Sequence, residues 1–200
     1  MIEERFSERD VAPNDEAAHL ARREGLDRTA AALAVLAAGI WVGGMIGLGA
    51  CAAPFVFRLT PSPFSGDAMG AAFLRFDQVV LGCAVSLLGA EVVRTWASGR
   101  QGARPLARAR RLIAVALAVA ATYGGLALTP RIVGLHQAGA HRGVGLLGEE
   151  LARAHGRAEL LGKLEIALAV VLIVLHVFTL SPLRSDAAEG EAPIPPGPPD

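Results

Sequence analysis

Residues 29–57 read TAAALAVLAAGIWVGGMIGLGACAAPFVF, twenty-nine positions from Thr29 to Phe57 without one charge. A bilayer's hydrocarbon core takes about 20 residues of apolar helix, because each residue adds about 1.5 Å along an axis that must cover about 30 Å. This run exceeds that length, so it predicts a membrane-spanning helix whose surplus is taken up by tilt or by a kink near Pro54. Within it Gly39, Gly43 and Gly47 recur at four-residue steps, followed by Cys51. Lipid gains nothing from meeting bare backbone, so the glycine stripe is expected to face another helix.

The rest of the chain reads as partners for this helix. Of 200 residues, 52% are hydrophobic and 19% charged, and the mean hydropathy is +0.43. The charges cluster between apolar runs. The expected architecture is all-α: a polytopic membrane protein with four transmembrane helices in a bundle, spans near 29–57, 71–96, 112–128 and 161–180. Residues 1–28 form a polar leader, too long and acidic for a secretory signal. Residues 181–200, with Pro193, Pro195, Pro196, Pro198 and Pro199, are expected to form a disordered tail. Pro61, Pro63 and Gly66 are expected to turn the chain after the first span. In the second span, Gly82, Ser86 and Ala90 are four apart and complement the glycine stripe. Glu91 and Arg94 are expected to pair on the helix surface. The third span carries a small-residue stripe of its own that includes Gly124, and Pro130 is expected to end it. The segment 131–160 then reads as a loose first half and an interfacial helix.

Between the second and third spans lie Arg100, Arg104, Arg108, Arg110 and Arg111 with no acid among them. A short arginine-rich loop beside two spans marks the cytoplasmic side, so both termini are expected there, in a bacterial cytoplasmic membrane. A net charge of zero argues against a nucleic-acid partner. The expected partners are the lipid bilayer and a second copy of the chain. No Cys-x-x-Cys, paired-His helix or phosphate loop occurs, so no enzyme, metal site or cofactor is expected. Parity places His136, His141 and His155 at one end and His176 at the other.

Trp41, Gly43, Gly44, then Ala53, Pro54, Phe55, Val56 and Phe57, then Gly66, Gly70, Phe73, Arg75 and Asp77 resemble the opening of the transmembrane-protein-205-like family. Pro130 with Ile132, and His155 with Gly156, resemble its second half. The resemblance covers roughly residues 33–178 and implies a four-helix integral membrane protein. It carries over neither catalytic residues nor substrate.

Two classes of function remain open. Arg58, Arg75, Asp77, Arg131, Lys163 and Glu165 converge by parity on the outer face, where Asp77 and Glu165 lie about 6–9 Å inside their helices. Charge at that depth is expensive, which makes these residues candidates for an ion or ligand site, with Arg58 or Arg75 as counter-ions. The alternative is an interaction module assembling through its small-residue faces. A polar cavity reaching the midplane would favour passage through the bundle; a dry centre argues against it.

Overall fold

The computed structural model describes residues 12–61, 64–98 and 105–180, with side chains from residue 18 onward. The first residues of the leader, Arg100, Arg104 and the proline-rich tail fall outside the described residues. The elements are α1 (Ala12–Ile46), α2 (Ala53–Leu59), α3 (Phe64–Ser98), α4 (Pro105–Tyr123), α5 (Thr129–Gln137) and α6 (Gly145–Phe178). Single π turns, Gly47–Ala52 and Gly124–Leu128, join α1 to α2 and α4 to α5. Four continuous helical stretches result, each long and apolar enough to cross a membrane: Ala18–Leu59, Phe64–Ser98, Pro105–Gln137 and Gly145–Phe178. No strand occurs among the described residues.

Both π turns stand just before a proline, Pro54 and Pro130. A proline inside a helix has no N–H to give and its ring crowds the carbonyl four residues back, and a widened turn relieves both defects without ending the helix. Pro130 therefore does not terminate the third span as expected; the helix runs on to Gln137. The first span does end at a proline. Pro61 disfavours the helical conformation for the residue before it, and Thr60 is extended at φ −113°, ψ 126°. The stretch 131–160 is correspondingly more ordered than expected, with α6 helical from Gly145.

Around the bundle the order is α1, α3, α4, α6, each helix packing on two neighbours. The seams follow a seven-residue pattern of alternating four- and three-residue steps, the spacing that keeps one stripe of a helix turned toward its partners. In α1 the seam is Asp27, Ala31, Ala34, Ala38, Trp41; in α3 it is Asp77, Val80, Ala84, Leu87, Glu91, Arg94. In α4 it is Arg110, Ala114, Leu117, Ala121, and in α6 Glu165, Ala169, Leu172, His176.

This seam corrects the expected packing faces. Gly39, Gly43 and Gly82 are exposed, and at each of them, as at Gly47, an added Cβ meets nothing within 4 Å. Nine residues separate Ala34 from Gly43, or 2.5 helical turns, which sets the glycines opposite the buried stripe. The alanine stripe is inside because it is in line with Asp27 and Trp41, whose polar atoms need partners. Ser86 returns its hydroxyl to the carbonyl of Gly82 at 2.9 Å and bridges no helices. Gly124 alone of the five expected packing glycines lies against another helix, where an added Cβ would stand 3.4 Å from the Leu161 side chain. The close approach in α1 belongs instead to Gly44, which lies under the ring of Phe76.

Adding one methyl at each of these neighbours separates the two faces. Gly44→Ala is expected to destabilise the bundle in detergent by about 1–3 kcal/mol, the range for overpacking. Gly43→Ala should stay within about 0.5 kcal/mol of the parent, as for an open surface site. Equal losses in thermal melts of the two variants would put the glycine stripe inside.

Candidate functional site

Asp27, Glu91, Arg94, Arg110 and His176 lie at one level of the bundle, at the end where α3 gives way to α4. Arg94, 1% exposed, donates from Nε to Asp27 Oδ1 at 2.8 Å, from Nη2 to Asp27 Oδ2 at 3.2 Å and to the carbonyl of Thr179 at 3.1 Å. Its Nη1 is 2.8 Å from His176 Nδ1. A guanidinium only donates, so Nδ1 is the accepting nitrogen and the imidazole proton sits on Nε2. That Nε2 lies 3.3 Å from Glu91 Oε1 without forming a hydrogen bond to it. Arg110 donates from Nε to Glu91 Oε1 at 2.6 Å and from Nη1 to the Thr179 hydroxyl at 2.7 Å. Two carboxylates and two guanidiniums balance, and all four spanning helices contribute.

A second polar level lies toward the hairpin end, where α2 meets α3 and α5 meets α6. Trp41, Asp77 and Glu165 are its side chains, from the first, second and fourth spans, and the third span contributes Gly124, Gly125 and Thr129. Trp41 is fully buried and donates from Nε1 to Glu165 Oε2 at 3.4 Å. Thr129 lies beside Asp77. Gly124 and Gly125, in the π turn, leave room for the two acids: an added Cβ would stand 3.9 Å from Glu165 Oε1 at Gly124 and 3.2 Å from Asp77 Cβ at Gly125. Asp77 Oδ2 is buried without a hydrogen-bond partner. Neither carboxyl has a cation within ion-pair distance among the described residues, in contrast to the balanced level at the other end.

Trp41 stands 14 residues from Asp27, Asp77 14 from Glu91, and Gly124 14 from Arg110, so the two levels are about 21 Å apart by helical rise. Between them Ala34, Ala38, Leu87, Leu117, Leu172 and Ala169 are fully or almost fully buried against one another. The bundle centre is dry.

The six sequence-predicted candidates divide. Asp77 and Glu165 come together, whereas Arg58, Arg75, Arg131 and Lys163 stay out. Arg58 is exposed without an ion pair among the described residues, and Arg75 bonds Gln78 on its own helix at 3.3 Å, so neither is a counter-ion to the acids. Arg131 pairs with Glu150 and Lys163 with Glu159 at 2.7 Å, all on the surface. The expected Glu91–Arg94 surface pair does not form, because both residues are buried and turned to other helices. Arg110, read as a loop residue, is the sixth residue of α4 and 4% exposed. Trp41, Thr129, Asp27, Arg110 and His176 escaped notice as polar-site residues. The seven-residue seams would have found most of them, since the seams of α1, α3 and α6 begin and end on polar or Trp positions. His136 and His155 meet across α5 and α6, with Nε2 atoms 3.4 Å apart, a contact that sequence spacing did not foretell. No group of three metal-ligating side chains occurs among the described residues.

An all-helical bundle with four bilayer-length helices and ionisable side chains at two buried levels defines the class: an integral membrane protein. Within it, the chain belongs to a family described as a domain of unknown function (DUF4149), whose model matches residues 36–141. No curated protein and no solved structure matches the chain.

The balanced level makes a direct energetic prediction. Arg110→Met leaves Glu91 buried without its main partner and should cost about 3–5 kcal/mol, the range for breaking a buried pair. Arg153→Met, whose pair with Glu149 is long at 3.9 Å and exposed, should cost about 0–0.5 kcal/mol. Thermal unfolding of both in one detergent makes the comparison.

Proposed function

We propose that the protein is a membrane-embedded receptor for a proton or a small cation, held by Asp77 and Glu165, and that it acts by binding rather than by covalent chemistry. The observation that carries this reading is the buried, unpartnered Asp77 Oδ2 beside a second buried carboxyl with no cation at hand. An unpaired carboxylate is costly to hold away from water, so such a pair is stable with a shared proton or with a bound cation. Trp41 supplies a donor to Glu165 and the glycines of the π turn supply space. π turns of this kind often mark functional sites. The dry layer below favours uptake and release at the hairpin end over passage through a single bundle.

The narrower likeness to transmembrane-protein-205-like proteins belongs to the same reading, resting on the residues from Trp41 to Asp77. So do a bacterial cytoplasmic membrane as the location, cytoplasmic termini, and partners limited to lipid and a second copy rather than nucleic acid. A second function is favoured by one observation: the exposed stripe of Gly39 and Gly43 suits self-assembly in the bilayer, in which case Gly43→Leu abolishes cross-linked dimers in vesicles while sparing the monomer.

For the receptor reading, thermal stability in detergent is titrated with lithium, sodium, potassium and calcium salts beside a bulky organic cation as control. A bound cation at a hundredfold excess over its dissociation constant adds about 2.7 kcal/mol to the stability of the parent. Asp77→Asn and Glu165→Gln keep the shapes and should lose that response, together with any proton released to a dye when the cation enters. An identical response in parent and variants would sink the proposal.

A further inference from the structure

Between the end of α4, α5 and the first half of α6 lies a cavity of about 340 Å³ that is distinct from the Asp77–Glu165 level. Its lining includes three arginines, Arg131, Arg153 and Arg157, against one acid, Glu150. Tyr123, Ala127, Leu128 and Ala154 line the rest of it. Arg131 spends its guanidinium on Glu150, donating from Nε at 2.9 Å and from Nη2 as well. Arg153 has only the long contact to Glu149, and Arg157 has no ion pair among the described residues. An excess of guanidinium donors therefore faces the cavity.

Depth says what belongs there. Arg157 and Arg153 lie eight and twelve residues from Glu165 along α6, and Arg131 eight from Tyr123 along the third span, so the arginines stand about 12–18 Å beyond the membrane-level groups toward the hairpin end. Tyr123, Ala127 and Leu128 lie three to eight residues before Arg131, on its bilayer side, and the third span exposes Tyr123 and Leu126 outward there. One wall of the cavity thus matches a headgroup and the other an acyl chain. A soluble anion would use the first and leave the second empty. We infer that this groove is a binding site for an anionic phospholipid, its phosphate held by Arg153 and Arg157 and its glycerol and upper chain laid on Tyr123, Ala127 and Leu128. Arginine forks suit phosphate oxygens, and basic pockets between spanning helices are a recurrent form of lipid site. At about 340 Å³ the cavity is at the small end for a ligand pocket, enough for a headgroup with the chains outside.

Native mass spectrometry of the full chain, released from detergent with equal amounts of phosphatidylglycerol and phosphatidylcholine of the same acyl length, tests the site. The parent is expected to keep phosphatidylglycerol preferentially. Arg153→Gln with Arg157→Gln should weaken that preference about fivefold for each arginine removed, the effect of one basic residue near an anionic lipid. Glu150→Gln, which frees Arg131, should strengthen it, and this gain stands as a test should the double variant fail to fold. Arg58→Gln with Arg75→Gln, at the same end but outside the groove, should leave the preference intact. Equal retention of the two lipids would overturn the inference, as would an equal drop in the Arg58 and Arg75 variant, the mark of general surface charge. Displacement of the lipid by millimolar inorganic phosphate or glycerol phosphate would also overturn it, showing a soluble-anion site.

Discussion

A guanidinium inside hydrocarbon must find its acceptors within the protein, and Arg94 finds all of its acceptors on other helices: Asp27 from α1, and His176 and Thr179 at the end of α6. Arg110 closes the arrangement from α4 through Glu91 and Thr179. Because no helix satisfies its own charge, the four spans are fixed in rotation and in height relative to one another. Such a network adds little stability over well-packed apolar residues of the same volume, since desolvation offsets most of the Coulomb gain. What it adds is register: a helix turned by a third of a revolution would leave a charge in lipid.

The register set at that end carries to the other. Alternating four- and three-residue steps lead each seam through alanines and leucines to Trp41, Asp77, Gly124 and Glu165, where four helices again meet at one level. There the charges do not balance. Two carboxyls face a tryptophan, a threonine and two glycines, and the π turn before Pro130 makes the room they occupy. One end of the bundle thus has its charges paired, although Glu91 Oε2 and His176 Nε2 are left there without hydrogen-bond partners, while at the other end two carboxyls have no cation among the described residues. This asymmetry is the physical basis for locating ligand chemistry at the hairpin end and structural work at the arginine-loop end.

The fold was largely legible in the sequence because bilayer thickness constrains length and composition so tightly. Residues 29–57 admitted little besides a spanning helix, and three more apolar stretches followed. Proline was harder to read. Pro61 ended a helix and Pro54 and Pro130 did not, and the difference lies in the glycine- and alanine-rich turns preceding the latter two, which widen at little steric cost. The faces were harder still. A stripe such as Gly39, Gly43, Gly47 announces a small-residue surface but carries no sign for inward or outward; only the need to bury Asp27 and Trp41 on the opposite stripe decides. At the candidate site, depth alone picked out Asp77 and Glu165. It also gathered Arg58, Arg75, Arg131 and Lys163, whose long side chains reach water at the same height and need no partner inside. Arg110 and His176 stayed hidden because their partners are 19 and 82 residues away in sequence.

The central claim is that two polar levels are separated by a dry layer, and water accessibility measures it directly. In a background with Cys51 and Cys83 replaced by serine and alanine, Leu117→Cys and Leu172→Cys lie in the layer, and Arg131→Cys serves as an exposed control. A membrane-impermeant thiol reagent applied to protein in vesicles, with both faces made accessible in turn, should modify the cysteine at position 131 and leave those at 117 and 172 unreacted from either side. Reaction at position 117 or 172 at a rate near that of the control would mean that water passes through the bundle centre and would contradict the account.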